Sequence, residues 1–161
     1  MKLKLHLVVL RFLLSQLQPV PDVSNPLHII YGNPQLQPEL SHRIQVNFVN
    51  INPFKGRHAF IFAAFTQTQD KIIYADSIDA LFIQSSKPVN VNGVFTFNGD
   101  ASLGFPLRKI KGTLELAARV EWEKNRQLIN AASGNIQTVT VGPQVRVNTT
   151  PYEKLSLFAT A

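Results

Sequence analysis

Residues 90–105, NVNGVFTFNGDASLGF, put Val91, Phe95, Phe97, Ala101, Leu103 and Phe105 on odd positions. Asn90, Asn92, Thr96, Asn98, Asp100 and Ser102 fall on even ones, and Val94 is the one serious exception. Side chains alternate across a strand with period two, so this is a ribbon with two unlike faces rather than a helix. Ordinary strands run about 5 to 6 residues and rarely need more than ~10, so the length itself constrains the fold.

The alternation recurs along the chain. RIQVNF (43–48) opposes Ile44, Val46 and Phe48 to Arg43, Gln45 and Asn47. TLELAARVEW (113–122) opposes Leu114, Leu116, Ala118, Val120 and Trp122 to Thr113, Glu115, Ala117, Arg119 and Glu121. TVTVGPQVRVN (138–148) opposes Val139, Val141, Val145 and Val147 to Thr138, Thr140, Gln144, Arg146 and Asn148, and LSLFATA begins another strand. HAFIFAAFTQTQ (58–69) is strand-like but apolar on both faces, which puts Ile61 and Phe65 on its nominal polar side. Pro143 cannot donate to a ladder and so calls for an edge or a bulge, the latter matched by Gly142. No stretch has helical periodicity. The chain is predicted to be all-β, an antiparallel up-and-down meander of about seven strands.

The start, MKLKLHLVVLRFLLSQLQPVPD, admits two readings. Two lysines before an apolar core imitate an export signal, but Arg11 interrupts the core and no A-x-A-like cleavage site follows. The competing reading is a strand with Leu3, Leu5, Leu7 and Val9 opposite Lys2, Lys4 and His6. No run of 18 apolar residues exists, which excludes a helical membrane span.

Connections divide into short ones, NPFKGR (52–57), FPLRKIKG (105–112) and TPYEKL (150–155), and long polar ones at roughly 13–40, 70–86 and 124–137. They alternate along the chain, as in a meander whose two ends face different environments. Outer-membrane barrels have this asymmetry, with short periplasmic turns, longer extracellular loops and aromatic girdles. Residues 113–122 would span about 33 Å at ~3.3 Å per residue and rise about 25 Å when tilted ~40°, the height of the apolar band. Trp122 then marks one membrane interface, and Phe54, Phe105 and Tyr152 the other. Lipid takes the place of a second core layer.

SQLQPVPDVSNPLHIIYGNPQLQPELSH (15–42), INPFKGR (51–57), SKPVNVNG (86–93) and GFPLRKIKGTLEL (104–116) resemble segments of the outer-membrane β-barrel family of Bacteroidota, relatives of the TonB-dependent receptors. GNPQLQPE followed by a strand is the most specific element. The resemblance implies part of the barrel wall of a larger nutrient-uptake protein, with a plug inside the barrel. It implies outer-membrane lipid, the remainder of the barrel and the plug as partners, and the TonB complex only through the plug. Residues 1–161 read as one partial barrel domain, without a plug and truncated at both ends. About seven strands do not close a roughly 22-stranded wall, and orphaned edge groups in hydrocarbon cost several kcal/mol each, so no activity is expected of the chain alone.

Candidate sites are few. Glu115, Arg119 and Glu121, with Asn98 and Asp100, are expected to face the lumen, either contacting ligand or pairing with one another as the polar interior of a barrel does. Asp76 and Asp79 fall in a predicted outer loop, where they are solvated or hold a cation or ligand. His6, His28, His42 and His58 are scattered without ligand spacing, so no metal is expected. NTT (148–150) matches a glycosylation pattern by coincidence at a strand end. No catalytic or cofactor motif appears, and the expectation is no enzyme and no cofactor. The formal charge of +6 raises nucleic acid, but the aromatics do not stand among the cations on one exposed face as a single-strand binder requires. Lys55, Arg57, Arg108, Lys109 and Lys111 sit in the short turns, where headgroups explain both cations and aromatics. With no Cys there is no disulfide framework. The alternatives are a soluble β-sandwich carbohydrate-binding module, whose apolar faces would pair across a core ~10 Å thick, and a hydrolase on a β scaffold.

Overall fold

The computed structural model describes the backbone of residues 2–10, 14–152 and 155–160, and the side chains of residues 2–8 and 16–149. In chain order the strands are β1 (Lys2–Leu10), β2 (Asp22–Asn25), β3 (His28–Ile30), β4 (Glu39–Asn52), β5 (Arg57–Gln69), β6 (Lys71–Ile78), β7 (Gln84–Val91), β8 (Val94–Leu107), β9 (Gly112–Ile129), β10 (Ala132–Tyr152) and β11 (Leu155–Thr160). One helical turn, Leu14–Leu17, follows β1.

The strands form two regions. An antiparallel meander, β1–β4–β5–β8–β9–β10–β11, makes the wall. The other four strands gather at one end of it. β6 and β7 form an antiparallel hairpin joined to the tip of β9 by two parallel pairs, Ala75 with Leu128 and Asp76 with Ile129. β3 pairs in parallel with β7, and β2 with β3. The lysine-rich start is therefore a strand, Leu5 opposite Ile44 and Lys4 opposite Gln45.

Register carries the alternation across the whole wall. The row Leu3–Val46–Ala63–Gly99–Val120–Val141 lies on one face, and the rows above and below it run Phe48–Ile61–Ala101–Ala118–Pro143 and Ile44–Phe65–Phe97–Trp122–Val139. The opposite face holds Lys4, Gln45, Thr66, Asn98, Glu121, Thr140 and their neighbours. Ile61 and Phe65 thus stand on the apolar face, not on the polar side expected of them. Phe60 and Phe62 are the aromatics that β5 places on the polar face. The sequence of β5 is apolar in both phases, so its orientation is decided only by its partners, Phe48 opposite Ile61 and Phe97 opposite Phe65.

Four further expectations change. The connection at 124–137 is not a loop: β9 and β10 continue to a two-residue turn at Asn130 and Ala131, both in the left-handed region (φ 48° and 62°), as a two-residue hairpin of the favoured hand requires. The stretch 90–105 is not one strand, because β7 ends at Val91 and the chain turns through Asn92 and Gly93 (φ 84°). The stretch 70–86 is largely the β6–β7 hairpin. Gly142 and Pro143 form no bulge, since β10 stays in unbroken register with β9 from Ala132 to Thr149. The other side of β10 is paired only from Arg146 onward, so Pro143 sits on an edge among the described residues, the kind of strand to which proline is confined.

Among the described residues no second layer covers the apolar face. Leu3, Leu5, Leu7, Ile44, Leu103, Leu116, Val139 and Val141 are exposed, and Leu5 keeps 77% of its surface. The buried apolar residues of the described chain are instead Leu36, Ala64, Pro88, Val91 and Val94, most of them at the end where β6 and β7 lie.

Candidate functional site

The polar face of the wall is built by alternate residues of six adjacent strands, and on β8, β9 and β10 it is charged. Arg119 points its Nε between two carboxylates, 3.0 Å from Glu121 Oε1 and 3.6 Å from Asp100 Oδ1. Asp100 and Arg119 are direct cross-strand partners. Nearer the short turns, Glu115 Oε2 meets Arg146 Nη1 at 3.5 Å across β9 and β10, again as direct partners. Asn98 pairs with Glu121 and lines with it a hollow of about 230 Å³, shared with Thr96, Glu123, Thr138 and Thr140. All five residues expected on the lumen side therefore share one face. Arg146 joins them, and the sequence offers the same signal for it: an even position in an alternating strand.

Beside these ion pairs lies a larger hollow of about 470 Å³. Phe60, Phe62 and Val49 supply apolar surface, and Asn47, Asp100, Ser102, Arg119 and Gln144 supply polar groups. Aromatic faces beside a few convergent hydrogen-bonding groups are the ordinary makeup of a small-molecule site. Phe60 and Phe62 are invisible to a reading of periodicity, because β5 gives no phase. Half-exposed charges in such pairs contribute little stability by themselves, ~0.2–1 kcal/mol each. Their effect is to set a fixed pattern of charge along the face.

The aromatics expected at the interfaces stand toward the two ends of the apolar face. Trp122 stands in the row Phe97–Trp122–Val139, and the next row outward, Phe95–Lys124–Gln137, turns polar. Lys124 Nζ sits 5.9 Å from the Phe95 ring centre, a cation–π contact at the rim of the band. At the other end Phe105 aligns with Leu114 and Val147, and Phe54 projects from its turn almost fully exposed, 99%. Leu114 to Trp122 is about 26 Å of strand at ~3.3 Å per residue. Tyr152 ends β10, and its side chain lies outside the described residues.

The end bearing β6 and β7 is held by side chains. Glu39, 7% exposed, accepts from Ile72 N–H at 2.8 Å and from Lys71 Nζ at 3.2 Å. Asn90 Nδ2 donates to the carbonyls of Gln37 and Asp70, while its Oδ1 accepts from Gln37 N–H. Asn33 Nδ2 donates to Pro88 O. A Cβ at Gly32 would collide with the backbone carbonyl oxygen of Gln18, so only glycine fits there. The segment 32–39, GNPQLQPE, is thus a clasp that pins the long connection onto β6 and β7.

Asp76 and Asp79 belong to this structure rather than to a solvated loop. Asp79 Oδ1 accepts from the N–H groups of Leu81 and Ile83, closing the β6–β7 turn. Asp76 Oδ1 accepts from Ser86 Oγ at 2.5 Å, and Ser86 Oγ lies 2.9 Å from His28 Nε2. With its hydroxyl donating to Asp76, Ser86 accepts from His28, the reverse of a base-activated nucleophile, and at 4% exposure it is closed to substrate. In the same region Asp22 is held below its ordinary value by the hydroxyl and N–H of Ser24. His58 packs against Phe60, ring centres 5.2 Å apart, and His42 lies opposite Gln67. Among the described residues no three His, Cys, Asp or Glu side chains are grouped as metal ligands.

Comparison with known proteins agrees with this geometry. The model of an outer membrane protein beta-barrel family matches residues 11–156, nearly the whole chain. No curated protein and no solved structure matches significantly.

Proposed function

The chain belongs to the outer membrane protein beta-barrel family, and from that membership we propose that it is wall of a TonB-dependent-receptor-like transporter for nutrient uptake. As a member it lies in the outer membrane as part of a β-barrel: its apolar face meets lipid and its polar face the lumen. A sandwich module is not favoured, since among the described residues the apolar face has no second sheet to pair with across a core.

The observation that supports uptake is the aromatic hollow on the lumen face. A water-filled pore has no use for Phe60, Phe62 and Val49 there, whereas a lumen occupied by protein or by a captured solute covers them. Arg119, Asp100, Glu121 and Asn98 stand beside them as hydrogen-bonding groups for that occupant. In this reading the chain performs no catalysis, binds no nucleic acid and holds no cofactor. The rest of the barrel and a plug complete it, and energy arrives through the plug from the inner membrane.

Deleting the gene in its host and growing the strain on a panel of large or scarce nutrients tests this. Loss of growth on one nutrient, with uptake abolished when the proton-motive force is collapsed, is the expected result. Unchanged growth on every nutrient, or uptake indifferent to energy, overturns the reading.

A further inference from the structure

We propose that the short-turn rim of the lipid-facing surface is a binding site for one anionic phospholipid. The two short turns that end β4 and β8 lie against each other: a Cβ at Gly56 would sit 3.4 Å from Pro106. Between them Lys55, Arg57 and Arg108 line, with Pro106, a single hollow of about 420 Å³. All three cations are exposed, and none takes part in an ion pair among the described residues. Nearby, Glu115 is occupied by Arg146. Among the described residues the arrangement is a concentrated positive charge without its counter-charge, and a phosphate supplies one with bidentate geometry for Arg.

Position selects a lipid as the source of that phosphate. Arg57 pairs with Asn52 and alternates with Ala59 and Ile61, so it stands on the lipid face, not in the lumen. Lys55 and Arg57 also border a second hollow, about 320 Å³, whose walls include Asn52, Ala59, Leu103 and Phe105. Cations at the level of the turn lead directly into apolar surface on the membrane side. That sequence of groups matches a phosphate followed by the head of an acyl chain, and free phosphate would use only the first part. Short turns face the periplasm, so the lipid comes from the leaflet on that side.

The test uses the full-length barrel extracted from outer membranes in mild detergent and placed in phosphatidylcholine nanodiscs. Spin-labelled phosphatidylglycerol is titrated in, and heat-modifiable migration confirms that each variant is folded. At about a fivefold contribution per basic side chain near a charged headgroup, replacing all three (K55Q, R57Q and R108Q together) weakens phosphatidylglycerol binding about 100-fold. K124Q, at the opposite rim, leaves it unchanged, and R57K with R108K, which keeps the charge but loses the bidentate fork, binds between wild type and the triple variant. If the triple variant fails to fold, R108Q alone is read, with about a fivefold loss expected. Equal binding by wild type and variant overturns the proposal. So does displacement of the lipid by inorganic phosphate at matched concentration, which would mark a free-anion site. Neither failure touches the uptake reading, which rests on the lumen face.

Discussion

The wall and the clasped rim are made from one chain by opposite means. In the wall, strands such as β8 and β9 hold each other through continuous backbone ladders, and their side chains form no core: Leu103 and Leu116 stay exposed. At the rim, short strands pair over few residues, and side chains do the holding, with Glu39, Ser86, Pro88 and Leu36 buried around β6 and β7. The wall is stable because its solvent is apolar and its backbone groups are paired. In the proposed reading the rim stands beyond the hydrocarbon, in water, and must supply its own burial and its own hydrogen bonds.

A charge placed on the lipid face separates the two regions most sharply. Ala118 lies midway between Leu114 and Trp122 on that face, and Ala117 is its neighbour on the polar face. Ala118→Arg is expected to cost ~2–4 kcal/mol in a bilayer, the depth-dependent penalty for a midplane cation on the lipid side of a barrel. Ala117→Arg, one residue away, changes little because its side chain reaches the lumen. Urea unfolding in phospholipid vesicles measures both. Equal costs for the two would show that the apolar face does not meet lipid.

The rim responds to a different change. Glu39→Ala removes the acceptor for Ile72 N–H and the partner of Lys71 in one step, leaving a charge-assisted bond unmade at a cost of ~1.5–3 kcal/mol. The loss is local. Amide exchange at Ile72 and along β6 should accelerate by about tenfold or more, while the Asp100–Arg119 ladder and exchange in β8 and β9 stay as they were. Uniform acceleration through the wall would mean that rim and wall unfold as one unit.

The same division decides what the amino-acid pattern reveals. Within the lipid band each residue must choose a face, so the alternation of β1, β4, β8 and the Leu114–Trp122 part of β9 is plain, and the grouping of Glu115, Arg119 and Glu121 follows from it. Beyond Trp122 both faces meet water and the constraint lapses. Residues 124–137 therefore look like a polar loop, although they continue as a hairpin. Its turn, Asn130–Ala131, contains no glycine to announce it. Phe60 and Phe62 were hidden for another reason: with Ile61 and Phe65 interleaved, either phase of β5 looks apolar, and only the register with β4 and β8 decides between them. The parallel contact of β6 with the tip of β9 joins residues distant in the chain and has no local signature.

The smallest effect comes from the two short turns, which differ while sharing a shape. Both end in a residue with left-handed backbone, Gly56 at φ 62° and Lys111 at φ 47°. The first is also capped by Asn52, whose side chain accepts from Lys55 N–H at 3.0 Å, whereas the second has no side-chain cap. A residue with a Cβ is strained by ~1 kcal/mol in this region, and glycine is not. Lys111→Gly should therefore stabilise the β8–β9 hairpin by ~0.5–1 kcal/mol, and Gly56→Ala should destabilise the β4–β5 hairpin by about as much. Midpoints of urea unfolding in vesicles read both signs. Because these turns lie at the end of the wall away from the clasp, exchange at Ile72 should follow neither change, and a response there would mean that strain at the short turns reaches the far rim along the strands.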